Sequence, residues 1–207
     1  MTLPRPVRLF DCRPAPNPRR VLIFLAEKGV VLPMEQVDIM SGAQFGAYRT
    51  RVGTHHVPAL ELEDGRYLTE SSAICRYVEA LWPEPNLMGQ DALEAAEVEM
   101  WSRRAEFGLL APAAAVLRHG NPKMAVMEDQ CPEWAEANRP RVQAGLEWLD
   151  RRLGDSPYLA GARFTMADIT AAVAVDFLRA SRTVVPEALA ALAEWRERVA
   201  ARPAMAA

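Results

Sequence analysis

The sequence predicts a two-part chain, an α/β domain followed by an all-α domain, and three observations carry that reading. Up to about residue 83, strand-like and helix-like apolar patterns alternate; beyond it nearly everything has a helical period. Asp64-Gly65, set between the alternating Leu60, Leu62 and Tyr67, is a strong hairpin signal and places antiparallel strands in the first part. Pro83-Glu84-Pro85-Asn86 interrupts both patterns. The predicted domains are residues 1–83 and 91–207, with a linker over 84–90.

Residues 7–10 read as the first strand. Residues 18–29 read as a helix, with Pro18 tolerated in its first turn and Gly29 closing it. Its block Val21-Leu22-Ile23-Phe24-Leu25-Ala26 is apolar nearly all round, so it is buried on more than one side. Residues 35–39 alternate weakly as a second strand, and 40–53 read as loop or short helix. Pro58 stands at a strand start, cannot donate to a ladder, and turns the backbone of Val57 toward another partner. After the hairpin, Ser71 or Ser72 is placed to cap a helix over 73–81, whose first N–H groups form an anion site. Together these features describe a surface for an extended peptide with a free carboxylate. The βαβ…ββα order is thioredoxin-like, and its parallel first strands require a helical crossover.

The second part opens with a helical pattern over about 93–117, bent or split by Gly108 and Pro112. Met100, Trp101, Arg104, Phe107 and Ala111 share one face of it. Residues 138–153 read as another helix, with Val142, Leu146 and Leu149 inward. Thr165 and Asp168 have the spacing of a capping box, and Phe164 with Ile169 that of a hydrophobic staple.

Composition narrows the function classes. Net charge is −3, so no global attraction to nucleic acid or acidic membranes is expected. Of the 24 basic residues only Lys28 and Lys123 are lysines. No apolar run approaches the roughly 18 to 20 residues that cross a bilayer, and the first residues lack the apolar core of a signal peptide. Cys12, Cys75 and Cys131 form neither a metal spacing nor an even disulfide set, which fits a reducing cytoplasm.

The Val57-Pro58 pair, the hairpin and Glu70-Ser71 resemble the cytosolic glutathione S-transferases, and the capped helix at Thr165 resembles the core helix of that family's C-terminal domain. The likeness covers about residues 7–202. It implies a thioredoxin-like domain followed by a helical bundle, a glutathione-dependent detoxification enzyme, and a homodimer. By the resemblance, Pro58 is cis, Val57 pairs with the cysteinyl backbone of glutathione, and Glu70 with Ser71 holds its γ-glutamyl end. His56 and Gln44 fall where the family contacts the glycyl end; a histidine of no function is the alternative at 56. Glutathione is then a substrate, and no metal is implied.

The chemistry required is activation of a thiol whose ordinary pKa is about 8.5. In the family, a Ser, Tyr, Cys or Thr donor stands six residues before a Val or Ile of the first helix. Counting back from Val21 reaches Ala15, which has no hydroxyl or thiol. The segment Ala15-Pro16-Asn17 instead resembles the Thr-Pro-Asn of Nu-class and yeast-prion-like transferases, with alanine for threonine. Asn17, with backbone N–H groups around Ala15, becomes the thiolate donor; the other reading makes Asn17 a helix cap. Cys12 is a rival, able to form a mixed disulfide with glutathione, or else a small apolar filler. Trp101, Arg104, Phe107 and Gly108 are candidates to line a pocket for a small hydrophobic electrophile, against a reading as core and dimer seam. The resemblance also leaves open disulfide or peroxide reduction, and a protein that binds glutathione or another ligand without turnover.

Overall fold

The computed structural model describes residues 3–13 and 15–207. The chain forms two compact units, one running to Pro85 and including Ala206 and Ala207, the other spanning Asn86–Met205.

The first unit runs β1 (Pro6–Asp11), α1 (Pro16–Glu27), β2 (Met34–Gln36), α2 (Gly42–Val52), β3 (Ala59–Leu62), β4 (Tyr67–Thr69) and α3 (Ser71–Leu81). The sheet order is β2-β1-β3-β4; β1 is parallel to β2, and the other two pairings are antiparallel. This is the thioredoxin-like α/β arrangement predicted. Helix α1 begins earlier than predicted, at Pro16, whose fixed φ suits the first helical position. It buries Val21, Leu22, Ile23, Phe24 and Leu25. Strand β2 is earlier and shorter than predicted. Beyond Gln36 the Val37 N–H still reaches the Asp11 carbonyl at 2.7 Å, and the chain then leaves β1, with Asp38 accepting the Met40 N–H at 2.9 Å ahead of α2.

The hairpin closes through Gly65 N–H to the Leu62 carbonyl and Leu62 N–H to the Arg66 carbonyl, both 2.9 Å. Gly65 takes φ +83°, a conformation that a Cβ penalises. Helix α3 starts at Ser71, two residues before the predicted 73, and neither serine is its N-cap. That position belongs to Glu70, whose side chain makes no cap hydrogen bond.

The second unit is helical: α4 (Ala92–Ala105), α5 (Ala111–Gly120), α6 (Pro132–Asp155), α7 (Met166–Phe177) and α8 (Ala190–Ala200). Asp91 caps α4 by accepting the Leu93 and Glu94 N–H groups at 2.9 Å. The predicted break in the long helix is a π-helical turn, Glu106–Leu110, between α4 and α5. It lets α6 come close: a Cβ on Gly145 would lie 2.4 Å from the Gly108 carbonyl oxygen, so only glycine fits there.

Helix α6 is longer than the predicted 138–153: it begins at Pro132, whose fixed φ suits the first turn, and continues through Pro140. Val142, Leu146 and Leu149 are buried as predicted. The buried Asp168 carboxylate accepts the Thr165 N–H and hydroxyl on one oxygen, and the Leu159 N–H and Trp195 indole N–H on the other. The capping box therefore also ties the preceding loop and α8 to α7.

Candidate active site

Strand register brings the candidate residues together. Phe10 pairs with Ala59, and Ala59 pairs with Thr69, so one row crosses β1, β3 and β4. The next residues along each strand path are Asp11-Cys12, Pro58-Val57 and Glu70-Ser71, and all emerge at the same end of the sheet. The α1 N-terminus follows from Cys12 at that end.

The Val57–Pro58 peptide is cis. Val57 is half-buried against a cluster of Phe10, Val37, Tyr48 and Ala59. Neither its N–H nor its carbonyl takes a hydrogen bond among the described residues. Backbone polar groups away from bulk water are nearly always paired, so this open edge suits another main chain.

Beside it, Glu70 holds φ +67° and ψ 113°. A non-glycine residue there is strained by ~1–3 kcal/mol, a cost characteristic of functional sites. Ser71, the first residue of α3, is buried and accepts a hydrogen bond from Nη1 of Arg20 at 3.3 Å. Arg20 is wholly buried, and the sequence reading missed it inside an apolar helix face. Its only signal was a cation next to Val21 in a segment predicted to be buried.

At the α1 N-terminus, donors are few. The Ala15 N–H, a candidate backbone donor, donates to the Cys12 carbonyl at 2.8 Å. Pro16 and Pro18 have no N–H. Asn17 is exposed in the first turn, inside the helix rather than at its cap, which is Ala15. Its side chain and N–H are the first-turn donors left beside Arg19. Cys12 is buried, and burial pushes its thiol pKa up, against a smaller lowering by the Ile39 backbone. That is the reverse of what a nucleophilic cysteine needs. Cys75 is inaccessible, with its thiol raised far more by burial.

His56 is exposed, and its ring lies 4.0 Å from that of His55. Gln44 is exposed in the first turn of α2. Four residues on, Tyr48 is buried and donates to the His56 carbonyl at 2.6 Å. Sequence reading passed over it because residues 40–53 gave no firm element.

In the helical unit, Trp101 is half-buried, with the guanidinium groups of Arg104 and Arg152 4.7 and 4.6 Å from its ring and Trp148 at 5.7 Å. Phe107 is 65% exposed, and Gly108 lies in the π-helical turn. Apart from the half-buried Trp101, the predicted stripe is exposed; the buried face of α4 carries Val98, Ser102 and Ala105. Among the described residues no group of three His, Cys, Asp or Glu is placed to hold a metal ion. No described helix is long and apolar enough to cross a membrane.

A thioredoxin-like unit with a cis-proline peptide edge, joined to a helical unit, defines a class of thiol-handling proteins. Comparison with known proteins narrows it. The family models "Glutathione S-transferase, N-terminal domain" and "Glutathione S-transferase, C-terminal domain" match residues 9–86 and 132–198. Glutathione S-transferase 2 of Saccharomyces cerevisiae is 34% identical over 205 residues, 95% of this chain and 87% of that one. The crystal structure of Gtt2 from the same yeast superposes with a TM-score of 0.91 at 32% identity, covering 97% of this chain and 99% of that one. A glutathione S-transferase from Methylobacterium radiotolerans, in complex with glutathione sulfonate, reaches 0.82 at 26% identity, covering 96% and 92%. The chain belongs to the glutathione S-transferase family.

Proposed function

We propose that the chain is a glutathione transferase that binds glutathione across this end of the sheet and promotes attack of its thiolate on an electrophile. The main chain of Val57, which takes no hydrogen bond among the described residues, beside an α3 start at Ser71 whose N-cap Glu70 makes no side-chain cap bond, carries the reading. The cysteinyl backbone pairs with Val57. The γ-glutamyl carboxylate meets Ser71 and the first N–H groups of α3, where a helix N-terminus favours an anion. The strained Glu70 faces the γ-glutamyl ammonium. His56 and Gln44 receive the glycyl carboxylate. Asn17 donates to the sulfur, which lowers its pKa because hydrogen bonds to a charged form favour that form.

Trp101, Arg104, Phe107 and Gly108 line the electrophile's surface on the helical unit. The chain works in the cytoplasm as a homodimer. The exposed Leu93 and Met100 on α4 and Phe107 in the π-helical turn after it support this, and sedimentation at twice the 22.9 kDa chain mass is expected. The domains are those of the sequence reading, with a linker over 84–90.

Calorimetry tests the site. Glu70→Ala and Ser71→Ala should each weaken glutathione binding at least ~tenfold, about 1.4 kcal/mol. Unchanged affinity in both removes the assignment. A second reading, binding without turnover, is favoured by the scarcity of donors at Ala15. Tight glutathione binding with no conjugation of a general aromatic electrophile, and no reduction of a disulfide or peroxide, would establish it.

A further inference from the structure

Tyr48 stands behind the peptide edge, and its geometry gives it a task. A trans peptide is planar, and its C=O and N–H point in opposite directions. The His56 carbonyl and the Val57 N–H belong to one such unit. Tyr48 grips the carbonyl from the protein interior at 2.6 Å, so the Val57 N–H is aimed away from it. The N–H so aimed is the one that takes no partner among the described residues.

The anchor is well held. Tyr48 is buried, its ring 5.6 Å from Phe10 and stacked on Phe45 at 6.1 Å, in the same cluster that receives Val57. Burial pushes its phenol up to about 12, so it remains a neutral donor at any physiological pH. Farther along the same helix, Arg51 grips both carboxylate oxygens of Glu61 on β3 at 3.0 Å and donates to the Tyr67 hydroxyl on β4 at 3.0 Å. Helix α2 is thus pinned to the sheet, and Tyr48 cannot follow the loop if it drifts. The His56 N–H is held separately, by the Thr54 hydroxyl at 3.2 Å.

We infer that Tyr48 is a positioning residue for substrate binding: through the His56 carbonyl it fixes the direction of the Val57 N–H that a tripeptide thiol's main chain would use. The inference rests on the glutathione reading above and adds to it a residue that touches no substrate.

Tyr48→Phe keeps the ring and its stacking while removing the hydroxyl. In the full chain, the glutathione KM and calorimetric Kd should rise about tenfold, the equivalent of ~1.4 kcal/mol. The kcat at saturating glutathione should stay within about twofold, because the hydrogen bond lost aims a binding group rather than a reacting one. With glutathione bound, protection of the Val57 amide against hydrogen exchange should fall. Val37→Ala, in the same cluster, is the control for loosened packing: it should lower Tm while leaving glutathione affinity intact. Equal affinity in parent and Tyr48→Phe overturns the proposal, as does an equal loss in Val37→Ala. A parent that fails to bind millimolar glutathione overturns the glutathione reading itself, and this inference with it.

Discussion

Arg20 donates to the hydroxyl oxygen of Ser71 from a fully buried guanidinium, 3.3 Å away. Arginine has donors and no acceptor, so the serine oxygen must accept, and its single proton is left for something else. A hydroxyl polarised in this way at a helix start is set to donate to an anion. Removing the acceptor leaves a buried charged donor without that partner. Ser71→Ala is therefore expected to lower the unfolding free energy of the ligand-free protein by ~1–3 kcal/mol, in addition to its effect on affinity. Denaturant melts of parent and variant measure it, and coincident curves would mean that the Arg20–Ser71 bond contributes nothing.

The cysteines should differ sharply in reactivity. Cys131 is exposed, whereas Cys12 and Cys75 are buried with thiols raised by desolvation. Only the thiolate reacts, and a raised pKa lowers its share at neutral pH below the few per cent of a free cysteine. Timed iodoacetamide labelling at pH 7, read by mass spectrometry, should modify Cys131 first and Cys75 only on unfolding. Labelling of Cys12 should rise with pH later than that of a free thiol. Rapid modification of Cys12 at pH 7 would favour the mixed-disulfide reading, as would loss of activity in Cys12→Ala.

Much of this was legible in the sequence because local rules and tertiary structure agree. Asp64-Gly65 dictates its turn whatever surrounds it, and Thr165 with Asp168 caps α7 as their spacing requires. Failures occurred where a long-range partner overrides the local signal. Ser71 looks like a helix cap, but its oxygen serves Arg20 from another helix, and Glu70 takes the cap position in a strained conformation. The helix read from residue 138 in fact begins at Pro132, with Pro140 inside it and α6 packed on α5 and α8. Tyr48 carried no signal at all, since its partner is a backbone carbonyl that no side-chain pattern reports.

Asp168 should be the most costly polar residue to remove from the helical unit. Asp168→Ala strands the Thr165, Leu159 and Trp195 donors, for an expected loss of ~3 kcal/mol or more at ~1–3 kcal/mol each. Burial raises the Asp168 pKa above its unfolded value, although its hydrogen bonds pull the other way. A raised acid binds its proton more tightly in the folded state. Its contribution is therefore complete below the unfolded pKa and declines as pH rises through the folded one. Asp168→Asn, whose amide does not titrate, should thus cost more at pH 4 than at pH 7. Thermal melts across that interval, with Trp195 fluorescence as the probe, test the sign; a cost that grows with pH would show the hydrogen bonds outweighing burial.

The last expectation concerns the thiol of bound glutathione. With the Ala15 N–H donating to Cys12 and Pro16 and Pro18 lacking one, thiolate stabilisation at this helix start is assigned, on the proposed reading, to Asn17. Bound glutathione should still titrate below the free thiol, each unit corresponding to about 1.4 kcal/mol of preference for the thiolate. Asn17→Ala should raise that pKa and slow conjugation while leaving affinity nearly intact, since the proposed contacts at Val57, Ser71 and His56 do not involve it. Ala15→Ser should lower the pKa and speed turnover by placing a hydroxyl where related transferases carry one. Thiolate absorbance against pH, measured on the three proteins with glutathione bound, separates these effects. A parent whose bound thiol titrates like free glutathione, unmoved by either substitution, would leave a binding protein without a catalytic device.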